Sequence, residues 1–355
     1  MGIAEDLQAQ LLAAAANHQP VAIQGGNSKA FYGRATSGTA LSVSEHRGII
    51  DYTPSELVIS ARAGTPLTEL EAVLAQEEQM LPFEPPHFAP SATLGGSVAC
   101  GLSGPRRPYA GAVRDVVLGV NCINGKGELL RLGGQVMKNV AGYDLSRTLT
   151  GSLGTLALLV DIHLRVLPRP ALETTLVQHC SATTAVEYFN RWAGQPLPLS
   201  GACYLDDRLY VRLSGMPEGV QAAAAAIGGE PLDNAEHFWE QLREQQLPFF
   251  AGATPLWRLS VPGATPPLAL DGATLLDWAR ELSAETDLTS LLERLKARVM
   301  ETIGVTNADV LVRTDEHVFE TIQASPARKL KLDRVSLLRL DRDSFLSAGE
   351  HALSL

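Results

Sequence analysis

The sequence lacks the motifs that define several large protein classes. Its four cysteines form no C-x-x-C pair and have no histidine at zinc-ligand spacing, so neither a zinc site nor an iron–sulfur cluster is predicted. The chain has no P-loop, and no G-x-G-x-x-G follows a predicted strand, which argues against a nicotinamide-binding Rossmann domain. The longest apolar run, 153–160, is followed at once by charged positions, so no membrane-spanning segment is predicted.

Positive charge is also scarce. The chain has 29 Lys and Arg against 39 Asp and Glu, and this net charge of −10 argues against a nucleic-acid surface. Residues 1–19 are typical of an alanine-rich amphipathic helix and lack the basic start and cleavage site of a signal peptide. We therefore expect reduced thiols and a cytoplasmic protein. The length of 355 residues fits two domains and a tail.

Glycine, by contrast, is concentrated in a few short segments, of which residues 90–108 are the longest. Residues 90–108 contain Gly95, Gly96, Gly101 and Gly104 among small side chains. This composition favours a loop over a packed helix or strand, and it would let the backbone touch a flat or anionic ligand. A tight structural loop without a ligand would have the same composition.

Two further glycine clusters lie beside predicted strands. The strand 21–24 ends in Gly25-Gly26-Asn27-Ser28-Lys29, which could hold a pyrophosphate through N–H groups, a hydroxyl and one cation. A plain β-turn is equally compatible with this segment. The third cluster is Gly151-Ser-Leu-Gly154. Together the clusters predict a long ligand with two phosphates at one end and a planar ring at the other.

Other elements follow from hydrophobic periodicity and turn residues. Thr65 and Pro66 are predicted as the N-cap and first residue of a helix, and Asn124-Gly125 as the turn of a hairpin. Strands are predicted at 41–43, 46–50, 56–62, 116–123, 128–132 and 157–166.

Several polar and aromatic residues have two interpretations. His87 is either catalytic or a surface histidine beside prolines, and the second is favoured. Four polar residues before the third glycine cluster form either part of a functional site or a buried, salt-bridged corner of the fold. They are Lys138, Tyr143, Asp144 and Arg147. His237, Trp239 and Trp257 are candidates for lining an interface or a substrate cavity. For the two tryptophans, packing in the core is the favoured interpretation.

The pattern changes after Pro168-Arg-Pro170, where we predict a domain boundary. An α+β layer with an antiparallel sheet is expected next, followed by a helix at 274–303. The layer's predicted elements are strand 174–180, helix 182–193, strands 201–205 and 209–213 joined by Asp206-Asp207, and helix 220–227. The predicted division is 1–170, 171–280 and a divergent helical segment, 281–355.

Five segments carry a resemblance to a known family. They are Ile23–Phe31, Leu81–His87, Thr93–Arg107, Lys138–Arg147 and Gly151–Thr155. They resemble the FAD-binding domain of the vanillyl-alcohol oxidase/PCMH superfamily, and more closely the FAD-binding E subunits of bacterial glycolate oxidases. The similarity is dense over 20–170 and continues through 197–201 and 238–250.

The resemblance implies an α+β protein with a PCMH-type fold, in which two α/β subdomains clasp FAD and a smaller α+β domain follows. By position, 25–28 would wrap the pyrophosphate, 93–96 and 101–104 would lie along the ribityl chain and flavin, and 151–158 would close the pocket. The implied FAD-binding residues are Gln24, Gly25, Gly26, Asn27, Ser28, Pro82, Thr93, Leu94, Gly95, Gly96, Gly101, Ser103, Gly104, Gly151, Gly154 and Leu158. No metal ligand is implied, and the catalytic residues stay unassigned.

The C-terminal part departs from the family pattern. Where the family usually has a Gly-Gly-His segment, this chain reads Asn307–Arg313, and Ser347–Glu350 replaces Asn-Pro-Gly-Arg. These changes put the substrate-side residues in doubt, because the histidine is a natural base and the arginine a natural carboxylate partner. Arg313 and His317 are candidate replacements for the missing arginine and histidine, but neither lies at the matching position of the family motif.

The resemblance implies an FAD-binding subunit of a multi-subunit glycolate oxidase, which oxidises glycolate or a similar 2-hydroxy acid to the 2-oxo acid. Its implied partners are a sister flavin subunit and an iron–sulfur subunit, through which the protein would reach the inner face of a membrane. In one alternative the FAD is structural or an electron relay within an assembly subunit. A UDP-sugar enolpyruvyl reductase of the same superfamily is less favoured.

Overall fold

The computed structural model describes most of the first 251 residues and a few later ones. The described residues are 2–33, 36–134, 145–251, 263 and 265–267, with the backbone alone of 311–313 and 319–321. The predicted helix 274–303 lies outside these residues, as do Trp257, His317 and 347–350.

The first part of the chain alternates helices with strands. Its elements are α1 (Ile3–Ala16), β1 (Val21–Gln24), β2 (Thr39–Ser42), β3 (Ile49–Thr53), β4 (Val58–Arg62), α2 (Leu67–Gln76), β5 (Gln79–Met80), α3 (Leu94–Cys100), α4 (Arg107–Ala110), α5 (Val113–Val116), β6 (Val117–Asn124), β7 (Leu129–Gly133), α6 (Leu145–Thr148), β8 (Ala157–Arg165) and β9 (Leu167–Pro168). The strands β3-β4-β8-β6-β7 form an antiparallel sheet in that order. The strands β1 and β2 form a separate parallel pair, and β5 pairs with β9.

A single apolar core joins this sheet to the helices α2 and α3. On α2, Leu67, Leu70 and Leu74 recur at helical spacing and are fully buried. They pack with Ile162 and Leu164, alternate residues of β8 that share one face of the sheet. Burying each such side chain contributes about 1.5–3 kcal/mol, which fixes both helices against the sheet.

The predicted hairpin is confirmed at the turn between β6 and β7. The Asn124 side-chain oxygen accepts hydrogen bonds from the backbone N–H groups of Lys126 (2.9 Å) and Glu128 (3.0 Å). Gly127 has a φ of +77°, which a residue with a Cβ rarely adopts. The turn sequence therefore sets the register of these two strands.

The glycine-rich stretch 90–108 was expected to be a loop, and this prediction is wrong for its centre, which forms α3. Thr93 caps the helix, since its Oγ1 accepts the N–H of Gly96 at 3.2 Å. Gly101 ends it with a φ of +69°. A methyl group on Gly95 would lie 2.7 Å from the Cβ of Ala63, so the small residues here let a helix pack closely on the strand region.

Two local predictions at α2 and β3 also need correction. Thr65 does not cap α2; its Oγ1 accepts the N–H of Gly48 at 2.9 Å, and Pro66 is the N-cap residue. The predicted strand 46–50 begins only at Ile49. The hydrogen bond between Gly48 and Thr65 explains both differences: it takes the Thr65 hydroxyl away from α2 and the Gly48 N–H away from a strand partner.

The second part of the chain forms a smaller antiparallel layer. Its elements are β10 (Leu172–His179), α7 (Ala182–Ala193), β11 (Leu199–Leu205), β12 (Arg208–Gly215), α8 (Pro217–Ile227), β13 (Glu230–Pro231) and α9 (Ala235–Arg243). The sheet order is β11-β12-β10-β13. Asp206 and Asp207 both have positive φ, as a tight two-residue hairpin turn requires. The predicted hairpin and helices of this layer are therefore confirmed.

Little of the predicted segment 281–355 is described. The described part is an antiparallel pair of short strands, β14 (Leu311–Arg313) and β15 (Phe319–Thr321). The predicted helical character is thus wrong for these residues. The divisions at 170 and 280 stay predictions.

Candidate cofactor site

The loop after β1 crosses closely over the segment that precedes α3. A methyl group on Gly25 would overlap Thr93 Oγ1, and one on Gly26 would overlap the backbone carbonyl of Ser91. The Ser91 hydroxyl also donates to the Gly26 carbonyl at 2.6 Å. Gly25 is therefore required by its contact with the Thr93 side chain, and Gly26 by its contact with the backbone of Ser91.

The backbone N–H groups of this loop are nevertheless available. Among the hydrogen bonds between described residues, none has a backbone N–H of Gly25, Gly26, Asn27 or Ser28 as its donor. Asn27 has a left-handed φ of +56°. Successive unpaired N–H groups in such a turn form a concave anion-binding surface.

Lys29 places a buried cation beside this loop. The residue is 7% exposed, and its Nζ lies 3.4 Å from both Ser28 Oγ and the His87 carbonyl. No carboxylate of a described residue is within ion-pair distance of this ammonium. Burial lowers the pKa of Lys29, and the nearby Cys100 and Glu244 offset part of that effect. A buried ammonium with only two long hydrogen bonds fits an anionic ligand.

The glycines of α3 and of the third cluster meet at the end of that helix. A methyl group on Gly101 would lie 3.0 Å from the Cα of Gly151, whose N–H donates to Val98. The N–H groups of Gly95 and Gly96 are also used, by Ala63 and Thr93. These N–H groups are therefore not free donors, and Gly95 and Gly101 are needed for close packing between segments of the protein.

Gly96 differs from its neighbour in the space beside it. A Cβ on Gly96 would meet only Thr93 Oγ1 within 4 Å, at 3.1 Å, whereas one on Gly95 would strike Ala63. Gly96 is half-buried and Gly95 is buried. Gly96 is thus the α3 glycine whose missing side chain leaves room for a ligand.

The segment 81–88 approaches the end of α3 from the other side. Gly104 donates to the Phe83 carbonyl at 2.8 Å, and the hydroxyl of Ser103 accepts the N–H of Val113. Pro82 is buried next to this contact. The structure therefore brings the predicted residues of 82, 93–104 and 151–154 together around one helix.

Two predicted cofactor residues belong to the core instead of a cleft wall. The side chains of Leu94 and Leu158 are at most 1% exposed and pack in the main apolar cluster. Because the whole residue is 0% exposed at Leu94 and 1% exposed at Leu158, neither presents surface to a ligand in this structure. Their hydrophobic side chains serve folding.

A charged cluster links this region to the second sheet. Arg212 on β12 is 3% exposed and donates to the Glu84 carboxylate. Arg106 donates to both Glu84 and Glu173. Burial would raise the pKa of Glu173, but Arg212, the Ser214 hydroxyl and Arg106 together bring it below its ordinary value.

Sequence reasoning missed this cluster and a second carboxylate, Glu244. The Glu244 side chain accepts the N–H groups of His87 and Phe88. No local pattern marks these contacts, since the partners are far apart along the chain. The only available signal was the similarity noted over 238–250.

The other sequence candidates have mixed outcomes. His87 is half-buried and its Nε2 lies 3.2 Å from Glu71, so it is paired rather than freely exposed. Trp239 is buried, donates to Thr175 at 2.8 Å and packs under Arg212, which confirms its core role. Lys138, Tyr143 and Asp144 lie outside the described residues, Arg147 lies in α6, and the side chain of Arg313 is not described.

Metal sites and membrane spans were searched within the described part of the chain. That part contains no group of three or more His, Cys, Asp or Glu side chains able to hold a metal ion. Its helices include none long and apolar enough to cross a bilayer.

Fold and site together define a protein with an FAD-binding domain, and the family model described as FAD binding domain matches residues 2–133. The chain belongs to the family of the glycolate oxidase subunit GlcE. It is 52% identical to that subunit of Escherichia coli K12 over 273 residues, which are 77% of each chain. The predicted family, fold class and cofactor are thereby confirmed.

More distant relatives extend the comparison. A D-lactate dehydrogenase of Anaerostipes hadrus is 27% identical over 79% of this chain and 57% of its own length. The glycolate oxidase subunit GlcD of Bacillus subtilis is 30% identical over 40% of this chain and 30% of its own. A solved alkyldihydroxyacetonephosphate synthase structure shares the fold with a TM-score of 0.54 at 14% identity, covering 68% of this chain and 53% of that one.

Proposed function

We propose that this chain is the FAD-carrying E subunit of a multi-subunit glycolate oxidase, which converts glycolate or a similar 2-hydroxy acid to the 2-oxo acid. The similarity to the GlcE subunit over 77% of both chains carries this proposal. The partners that this family implies are a sister flavin subunit and an iron–sulfur subunit, and any cluster would lie on a partner, since the four cysteines of this chain form no iron–sulfur ligand set.

We place the FAD diphosphate on the loop 25–28. The free N–H groups of this loop and the Lys29 ammonium supply the donors and charge that a diphosphate needs. The ribityl chain and ring would lie along 93–96 and 101–104, where small residues allow close contact, and 151–158 would close the pocket. Bound there, FAD supplies a hydride acceptor, while the chain binds and orients it.

The assembly or electron-relay role is the second candidate. It is favoured by the replaced segments at 307–313 and 347–350, where the family's histidine and arginine are missing. A general base contributes typically about 10²–10⁴-fold, so a chain without one should turn over poorly alone. We therefore expect little glycolate oxidation by the isolated, FAD-loaded chain.

The test is copurification followed by reconstitution. Tagged protein isolated from its native cells should carry yellow flavin and bring down a second flavoprotein and an iron–sulfur protein. Glycolate-dependent dye reduction is then compared between the isolated chain and the rebuilt complex. Equal rates would make this chain the catalyst and refute the relay role, while a folded chain that takes up no FAD would overturn the whole proposal.

A further inference from the structure

A carboxylate beside the second sheet layer holds the loop 87–88 of the first part of the chain at two points. Glu244 follows directly after α9, and its oxygens accept the N–H of Phe88 at 2.7 Å and the N–H of His87 at 3.0 and 3.1 Å. The side chain is only 9% exposed. Phe88 has a left-handed φ of +58°, which this pair of hydrogen bonds stabilises.

The other side of the same loop faces Lys29. The His87 carbonyl lies 3.4 Å from Lys29 Nζ, and the Phe88 ring centroid lies 5.7 Å from it, within the range of a cation–π contact. Phe31, two residues further along the glycine loop, packs edge-on against Phe88. The peptide 87–88 therefore lies between Glu244 and the buried ammonium.

Glu244 is held as an anion in this position. Burial alone would raise its pKa, but the backbone N–H of Phe88, the Arg243 guanidinium and the N–H of His87 bring the pKa below its ordinary value. Arg243 donates to Glu244 at 2.7 Å and also packs beside Gly104. The end of α9 is thus fixed against the loop 87–88 and beside Gly104.

We propose that Glu244 is a positioning residue for FAD: it fixes the loop 87–88, which in turn holds the Lys29 ammonium at the diphosphate. The second layer of the protein thereby contributes to FAD affinity through a residue that does not touch the cofactor. This inference rests on the proposed placement of the diphosphate at 25–28. The coupling is reciprocal: the factor by which the contact between Glu244 and the loop raises FAD affinity equals the factor by which bound FAD stabilises that contact.

The experiment measures FAD affinity of the full chain after the cofactor has been stripped, through quenching of FAD fluorescence. Lys29→Met should weaken binding about 10- to 100-fold, since it removes a charged hydrogen-bond donor. Glu244→Gln should weaken it about 3- to 10-fold, because it removes the negative charge and because an amide whose oxygen faces the two N–H groups turns its NH2 donor toward Arg243 Nε, which is also a donor. Glu236→Gln is the matched control, since Glu236 lies in the first turn of α9 with an exposed side chain, and it should leave the affinity unchanged.

The double variant separates positioning from a general structural effect. If Glu244 acts through Lys29, Glu244→Gln should have almost no further effect in the Lys29→Met background. Additive losses would overturn the inference, as would unchanged affinity in Glu244→Gln. Unchanged affinity in Lys29→Met would instead refute the diphosphate placement on which the inference rests.

A measurement on the unaltered chain covers the case in which Glu244→Gln does not fold. Hydrogen–deuterium exchange should show that FAD slows exchange in peptides from α9 as well as in the loop 82–90. The protection of α9 should be absent in Lys29→Met. Protection confined to the first domain would overturn the inference.

Discussion

Arg212 and Glu84 meet across the two layers of the protein, with Arg212 Nη2 lying 2.8 Å from Oε1 and 2.9 Å from Oε2 of Glu84. Arg212 also donates to the Ser200 carbonyl and stacks 4.7 Å from the ring of Trp239. The guanidinium therefore pairs with Glu84 of the first layer and, at 3.8 Å, with Glu173 of the second, and it packs against the second layer. Glu84 itself has a φ of +44°, so this contact holds a backbone conformation that is rare without glycine.

Replacing Arg212 should destabilise the whole protein. Among the described residues, Arg212→Met leaves Arg106 as the one remaining arginine paired with the carboxylates of Glu84 and Glu173, and we expect a loss of about 3 kcal/mol in the free energy of unfolding. Urea denaturation followed by circular dichroism measures it. Arg208→Met on the same strand is the control, since Arg208 is exposed, and an equal loss in both variants would contradict the assignment.

Substitutions at Gly95 and Gly96 should separate folding from FAD binding. Gly95→Ala forces a methyl group against Ala63 and should cost about 1–3 kcal/mol of stability in the FAD-free chain. Gly96→Val should leave that stability within about 1 kcal/mol but abolish FAD binding, because its side chain would enter the space proposed for the flavin. Thermal denaturation and flavin absorbance distinguish the two. Normal flavin content in Gly96→Val would place the flavin elsewhere.

The pH dependence of stability should include a contribution from Glu244. Its pKa in the folded protein is below the ordinary 4.5, so the unfolded chain binds more protons in this range. The stabilisation is present above about pH 4.5 and is lost as the pH falls through the folded-state pKa. Urea unfolding at several pH values should show the gap between the native chain and Glu244→Gln shrinking in acid. A gap independent of pH would contradict this.

FAD should be held without a covalent bond. None of the proposed FAD-binding residues is a histidine, cysteine or tyrosine, the side chains that usually attach flavins. Cys100 lies nearby at the end of α3, but burial raises the pKa of its thiol, although Lys29 offsets part of the effect, which disfavours the nucleophilic thiolate. Precipitation in acid should release all flavin into the supernatant. Colour retained in the pellet would show an attachment.

The sequence by itself determined the elements whose signals are local. Asn124 with Gly125, and Asp206 with Asp207, specify their hairpins because a tight turn is set by neighbouring side chains and backbone angles. The helix 182–193 and the buried face of α2 follow from periodicity. The loop motifs also identified the FAD-binding family, since glycine spacing around a ligand lies within short stretches of chain.

Only the tertiary structure decided which partner each ambiguous residue takes. Thr65 and Thr93 are both plausible helix caps, yet one bonds Gly48 and the other caps α3. The contacts of Glu244 with His87 and of Arg212 with Glu84 join residues more than a hundred positions apart. Such pairs depend on how the two layers dock, because the energy of a buried charge is set by its surroundings in space and not by its neighbours in sequence.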